Sequence, residues 1–449
     1  MRKGLYILIP LLLFLGLPSD VAGKEERSWQ DESIYYITID RFNNSDFTND
    51  HDVDANDPSK YHGGDFQGIL DRLDYIKDMG FTVLGLSSIF ENEENGYHGY
   101  WIKDYQRIEE NFGTVEKLKE LVKEAHQRDM KVVIDFPILD GVPQETLIDA
   151  GKWWMNESKI DGYRIDAAKE VPSEFLQDFS KEMKSTKDDF LILEDIRTNI
   201  DDEKAGVDGY FDYLLSEELR KAYSQPNQSL QSVMDKMNPT NDLLRVQFLD
   251  NQHTHRFTRD AVNLNEHPGP RWKMALTYLF TTPGIPFVFY GSEIAVDGGE
   301  EPDNLRQMDF RTDKELVDYI TSIAKIRDQL PSLRKGSFEL LHEDQGMLVY
   351  KREYKGETAV VAINNTTKSQ SATLSTEFED NKELRGLLNG DLVRSEDGKY
   401  KIIIDRDEAE IYILADKTGI NIPVISASAA VVILFIVFLF LLKRKSRKS

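Results

Sequence analysis

The chain has 449 residues, enough for two or three domains around a large core. It carries 79 acidic against 55 basic residues, a net charge of −24, and no cysteine. This excludes disulfides, thiol chemistry and thiolate metal sites, and argues against nucleic acid or anionic polymers as partners while leaving neutral glycans open.

Residues 1–23 read as a signal peptide: Arg2-Lys3, the apolar stretch Gly4–Leu17, then small residues at Val21-Ala-Gly23. An uncleaved anchor is the other reading, but the apolar run is short for a span. From 24 to 335, short apolar runs alternate with amphipathic helical stretches, which implies a parallel sheet with crossover helices. The expected strands are Ile34–Ile39, Thr82–Leu86, Lys131–Phe136, Gly162–Asp166, Phe190–Glu194, Gly209–Tyr213, Leu244–Leu249 and Pro286–Tyr290. Eight such runs fit an α/β fold closed as a (β/α)₈ TIM barrel. Only about 25 residues separate Asp135 from Gly162, and Val142–Trp154 reads as one helix within them. From 336 to 416 the pattern changes to alternating strands, such as Met347–Arg352, Thr358–Asn364 and Glu410–Leu414, predicting a small antiparallel β-sandwich.

Ile422–Leu442 is almost wholly apolar, and as a helix it would rise about 31 Å, enough to cross a bilayer. The basic tail 443–449 follows, so the positive-inside rule puts the C-terminus in the cytoplasm and the preceding chain outside. The expectation is a single-pass cell-membrane protein, with zero cysteine suggesting a Gram-positive surface. Without 1–23 and the tail the net charge is about −30.

The segment Gly162-Tyr-Arg-Ile-Asp-Ala-Ala-Lys-Glu170 carries the chemistry. Alternation along a strand puts Arg164 and Asp166 on one face, where the guanidinium favours an ionised, nucleophilic carboxylate. Glu194, ending the apolar run Phe190-Leu-Ile-Leu193, offers a second carboxyl from the next strand. Retaining glycoside hydrolysis needs two carboxyl groups about 5–5.5 Å apart, one attacking and one donating a proton. The alternative for the nonapeptide alone is an ordinary ion pair at a strand end.

Further motifs stand in a fixed order: Ile34–Phe42 ending in Asp-Arg-Phe, Gly63-Gly-Asp-Phe-Gln-Gly68, Leu73–Gly80, Tyr97-His-Gly-Tyr-Trp101 with Asn111-Phe-Gly-Thr114, and Pro283–Glu293. Together with the nonapeptide and Glu194 they resemble the α-amylase family of glycoside hydrolases over roughly residues 34–415. The resemblance implies Asp166 as nucleophile and Glu194 as acid/base. It implies sugar contacts from Arg164, Tyr100, His98, Lys169 and His253, with an α-glucan or maltooligosaccharide as partner. It also implies a structural Ca²⁺ held by Asn44, Asp46, Asn49, Asp50, the Gly63 carbonyl and Asp65, whose hard oxygens suit that ion; a solvated Asx-rich turn is the other reading. His51, His62 and His255 show no metal-like spacing, so no zinc site is expected.

The chain departs from the family pattern in places. His253 stands where the family has its third catalytic Asp, and Gln252 where it has His. Leu139-Asp140 replaces Asn-His, Lys169-Glu170 replaces Lys-His, and Leu305 replaces an Arg. The family's usual domain between the third and fourth strands is nearly absent, which predicts a more open cleft. Asp250 and Asp140 are the candidates to stand in for the missing carboxylate. Two functions fit: a surface-anchored hydrolase of reduced activity, or an inactive glycan-binding or accessory ectodomain.

Overall fold

The computed structural model describes residues 27–167, 171–196, 206–237, 243–312, 314–375, 378, 381–417 and 433–438. The predicted signal peptide, the basic tail and most of the predicted membrane span lie outside them. Of that span, residues 433–438 are helical with exposed apolar side chains. No helix among the described residues is long and apolar enough to cross a membrane.

Eight parallel strands close into a barrel: β1 Ile34–Ile37, β2 Val83–Leu86, β3 Lys131–Pro137, β4 Gly162–Ala167, β5 Leu191–Ile196, β6 Gly209–Phe211, β7 Leu244–Gln247 and β8 Ile285–Phe289. Each pairs with its neighbours in sequence, and β8 returns to β1. Parallel strands covered by helices bury both faces, which is why runs such as Val132-Val133-Ile134 contain no polar alternation. Inward residues include Tyr36, Asp135, Arg164 and Phe211, whose side chains meet across the barrel. Outward residues pack on the helix layer: Tyr163 meets Phe136 edge to face and tilts against Phe179, and its hydroxyl donates to Gly151 O at 2.8 Å.

Between β3 and β4 the chain makes a short turn and one helix, Gln144–Ser158. Sequence reasoning placed this helix two residues early and ended it four early. Pro143, with extended ψ, caps the start, while buried Met155 and Ser158 continue the core face until Lys159 turns left-handed. After β2, a hairpin of Phe90–Asn92 and Ile102–Ile108 stands above the barrel and carries Tyr97, His98 and Tyr100 on its connecting loop.

The C-terminal part is a sandwich. Six antiparallel strands run in the order Ser337–Asp344, Met347–Tyr354, Glu357–Asn364, Glu408–Asp416, Lys382–Gly386, Leu392–Arg394. The pair Gln370–Ser375 and Lys399–Ile404 packs over them around Val349, Val360, Tyr400 and Ile402. Polar anchors tie this sandwich to the barrel: Arg271 pairs with Asp407, and Asn365 Nδ2 donates to Ala222 O at 2.7 Å.

Candidate active site

Charge gathers at the carboxyl ends of β3, β4 and β5, where active sites of this fold are built. The register pairs Asp135 with Arg164, so both face the interior. Arg164 Nη1 donates to the two Asp135 oxygens at 2.9 and 2.8 Å, and Nη2 pairs with Asp195. The guanidinium also lies over the Tyr36 and Phe211 rings, at 4.9 and 4.7 Å from their centroids. Asp166 is a more distant partner, 3.7 Å away. Arg164 is therefore first a bridge between Asp135 and Asp195, and only second the orienting partner of Asp166. Asp135 further accepts from the hydroxyls of Tyr36, at 2.5 Å, and Tyr100, at 3.1 Å. Burial pushes the Asp135 carboxyl up to about 6, with Arg164 opposing and the like charge of Asp166 adding to the rise.

Asp166 is 4 % exposed, and its Oδ2 meets two nitrogens: His253 Nε2 at 2.5 Å and Gln252 Nε2 at 3.3 Å. The loop after β7 delivers both. Asn251 Oδ1 accepts from the His253 amide at 2.9 Å, and Asn304 Nδ2 holds the Gln252 and Thr254 carbonyls. Asp250 roots the loop by accepting from Ser292 Oγ and the Phe257 amide, both at 2.9 Å. With both oxygens so engaged, Asp250 does not replace the carboxylate missing at His253. Asp140, the other candidate, is exposed.

Glu194 pairs with Ile165 and Tyr210, whereas Asp195 pairs with Asp166. Alternation then sends Asp195 to the face of Arg164 and Asp166, and side-chain atoms of Asp166, Asp195 and His253 lie within 4.8 Å of one another. Glu194 is buried at the same strand end, one residue out of phase. Sequence reasoning missed Asp195 and Asp135. The signal for Asp135 was its place ending an apolar strand beside the Arg164 strand; nothing local distinguishes Asp195 from Glu194.

On the hairpin loop, His98 accepts the Tyr100 amide on Nδ1 at 3.0 Å, and burial pushes its imidazole down to about 4. It serves the loop backbone as a neutral ring. Tyr100 stacks on His98 and tilts against His253, with centroids 5.7 and 5.2 Å away. Trp101 is 54 % exposed beside them. Lys169 lies outside the described residues.

In the loop after β1, Asn44 Nδ2 donates to both Asp50 oxygens, and Gly63 closes over this pair: a Cβ there would sit 2.2 Å from Asn44 Nδ2. Asn44 Oδ1 and both amide atoms of Asn49 are buried without a hydrogen bond. Asp65 instead accepts from the Ser45, Asp46 and Gly68 amides, and Asp46 caps Thr48. Those two carboxylates are committed to the loop backbone and its turn.

A family profile described as "Alpha amylase, catalytic domain" matches residues 36–138 and 141–336, and an "Alpha-amylase C-terminal domain" matches 336–412. The chain belongs to the α-amylase family. Among solved structures it is similar to an α-amylase from Anoxybacillus, with 47 % identity and a TM-score of 0.83 over 88 % of this chain and 100 % of that one. An α-amylase from Geobacillus thermoleovorans, solved with acarbose, is 43 % identical with a TM-score of 0.81 over the same shares. A curated relative, the beta/alpha-amylase of Paenibacillus polymyxa, is 28 % identical over 86 % of this chain; the match spans only 38 % of that longer protein. The cyclomaltodextrinase of Thermoanaerobacter pseudethanolicus is 26 % identical over 75 % of this chain and 70 % of its own length.

Proposed function

We propose that this α-amylase-family chain acts on α-glucosidic oligo- or polysaccharides by retaining double displacement, at a reduced rate. The observation that carries this reading is Asp166, held inside the carboxyl end of the barrel 3.7 Å from Arg164, with carboxylates on the adjacent strand. The substrate class follows from the amylase and cyclomaltodextrinase relatives.

In this mechanism Asp166 attacks the anomeric carbon and forms a glycosyl ester while Glu194, at the end of β5 and one residue out of phase with Asp195, turns its carboxyl toward Asp166 to protonate the leaving oxygen. Glu194 then takes a proton from water, which hydrolyses the ester. Asp195 is ion-paired to Arg164, which ties it to the guanidinium and leaves proton donation to Glu194. The His253 contact ties up one oxygen of the attacking carboxylate, and an imidazole, unlike a carboxylate, supplies no negative charge to an oxocarbenium-like state. Losing one such electrostatic group commonly costs about 10²–10³ in turnover.

The same contact favours a second reading, a glycan-binding or accessory role, because Asp166 Oδ2 already has two nitrogen partners. Trapping separates the two. A mechanism-based fluoroglycoside is expected to label the Asp166 peptide of the parent and not of Asp166→Asn. No label, with calorimetry still detecting maltooligosaccharide, would replace hydrolysis with binding.

Calcium belongs to the proposal through Asn44, Asn49, Asp50 and the Gly63 carbonyl, because buried amide oxygens without donors suit a hard cation. A rise of the unfolding temperature with added calcium, lost in Asp50→Asn, tests it. The anchor at 422–442 and the extracellular placement rest on the sequence and are tested by detergent partitioning of the full chain against one ending at 420.

A further inference from the structure

The surplus of buried acceptors beside His253 has a chemical consequence. Asp135, Asp166 and Asp195 bring three carboxylates against the single guanidinium of Arg164. Gln252 Oε1 is buried without a hydrogen bond on a side chain 3 % exposed, and Asp195, 0 % exposed, leaves Oδ1 outside its Arg164 pairing with only the Tyr213 hydroxyl directed at its carboxylate. Leaving such atoms dry costs free energy that a cation recovers. The substitution at 253 adds what an ordinary carboxylate cluster lacks, an imidazole nitrogen.

We propose that Asp166, Asp195 and His253 form a binding site for a divalent transition ion of the zinc class. Their donor atoms already lie within 4.8 Å of one another. Two carboxylates and one imidazole form an N/O set that suits zinc, with a fourth position for water. Calcium and magnesium prefer all-oxygen shells, so the imidazole selects against them. To admit the ion, His253 Nε2 and Asp166 Oδ2 must part from 2.5 Å to a separation of about 3–3.5 Å, as two ligands at about 2.1 Å require. Arg164 supplies the outer contact that fixes Asp195. Sequence spacing gave no sign of the site, because its ligands come from two strands and a distant loop.

On the function proposed above, an ion here ties up the carboxylate that would attack the sugar. The metal-loaded state is therefore silent and the metal-free state is the one able to form the glycosyl ester. Zinc would act as a reversible stop on Asp166.

The test uses the full chain, stripped with a chelator and kept in excess calcium so that the loop after β1 is not scored. Zinc is titrated by calorimetry, and Co²⁺ absorption reports nitrogen and oxygen ligation. The expected result is one equivalent of either ion, with affinity at least about 100-fold weaker in both His253→Ala and Asp195→Asn. Metal-free melting curves matching the parent show that both variants fold. No binding by the parent at 100-fold excess of zinc, or equal affinity in parent and folded variants, overturns the proposal. Because the ion itself is measured, a chain that never turns over a glycan still gives an answer.

Discussion

Asp166 shares one oxygen between an imidazole and an amide, and each shifts what that oxygen can do. In the proposed mechanism both contacts oppose attack through this oxygen, so the expected cost of the His253 and Gln252 substitutions falls on the chemical step more than on fold or cleft shape. Glu194 and Asp195 pose the next question at this scale. The register puts Asp195 beside Asp166, and its Arg164 pairing makes it a holder of the cluster; Glu194 is the proposed proton donor. Glu194→Gln should therefore lower kcat on a natural maltooligosaccharide far more than on an aryl glycoside whose leaving group needs no proton. Asp195→Asn should lower both alike, and the reverse pattern would exchange the two roles. Neighbouring acids of this kind show the limit of the sequence. Which one faces the barrel depends on how β5 registers against β4, and that is a property of two strands.

Elements were easier to read than residues. Each barrel strand is an apolar run of strand length between polar stretches, so all eight were legible, and boundary differences came from caps such as Pro143. The loop after β1 was legible only as a collection of oxygen ligands. What fixes it is Asp40, buried at the strand end, whose carboxylate accepts from the His62 and Gly63 amides and pairs with Arg41 at 3.2 Å. Burial pushes Asp40 up to about 7, against the lowering effects of Arg41 and the two amides. The folded chain thus binds this proton more tightly than the unfolded chain does. The linked stability is fully present below the unfolded value near 3.9 and is lost as pH rises through about 7. Relative to the parent, Asp40→Asn should gain stability steadily between pH 4 and 7, by at most about 4 kcal/mol. Urea unfolding at several pH values checks this; a constant difference across that range would mean that Asp40 is charged throughout.

At the scale of the molecule, the barrel and sandwich are similar to those of the Anoxybacillus and Geobacillus α-amylases, while two departures from the family pattern, Gln252 and His253, meet one carboxylate. Asp250, Asn251 and Asn304 brace the loop that carries His253, the position the resemblance assigns to a third catalytic group. The resemblance made this departure visible in the sequence. Its geometry, a direct bond from the substituted residue to the nucleophile, depended on how far the loop folds inward. The measurement that bears most directly on the account is turnover of an activated aryl α-maltooligosaccharide by the full chain, beside His253→Asp and Asp166→Asn. The account predicts slow turnover by the parent, at least a tenfold gain in His253→Asp, and none in Asp166→Asn. A parent that is silent, or whose turnover survives Asp166→Asn, would contradict it.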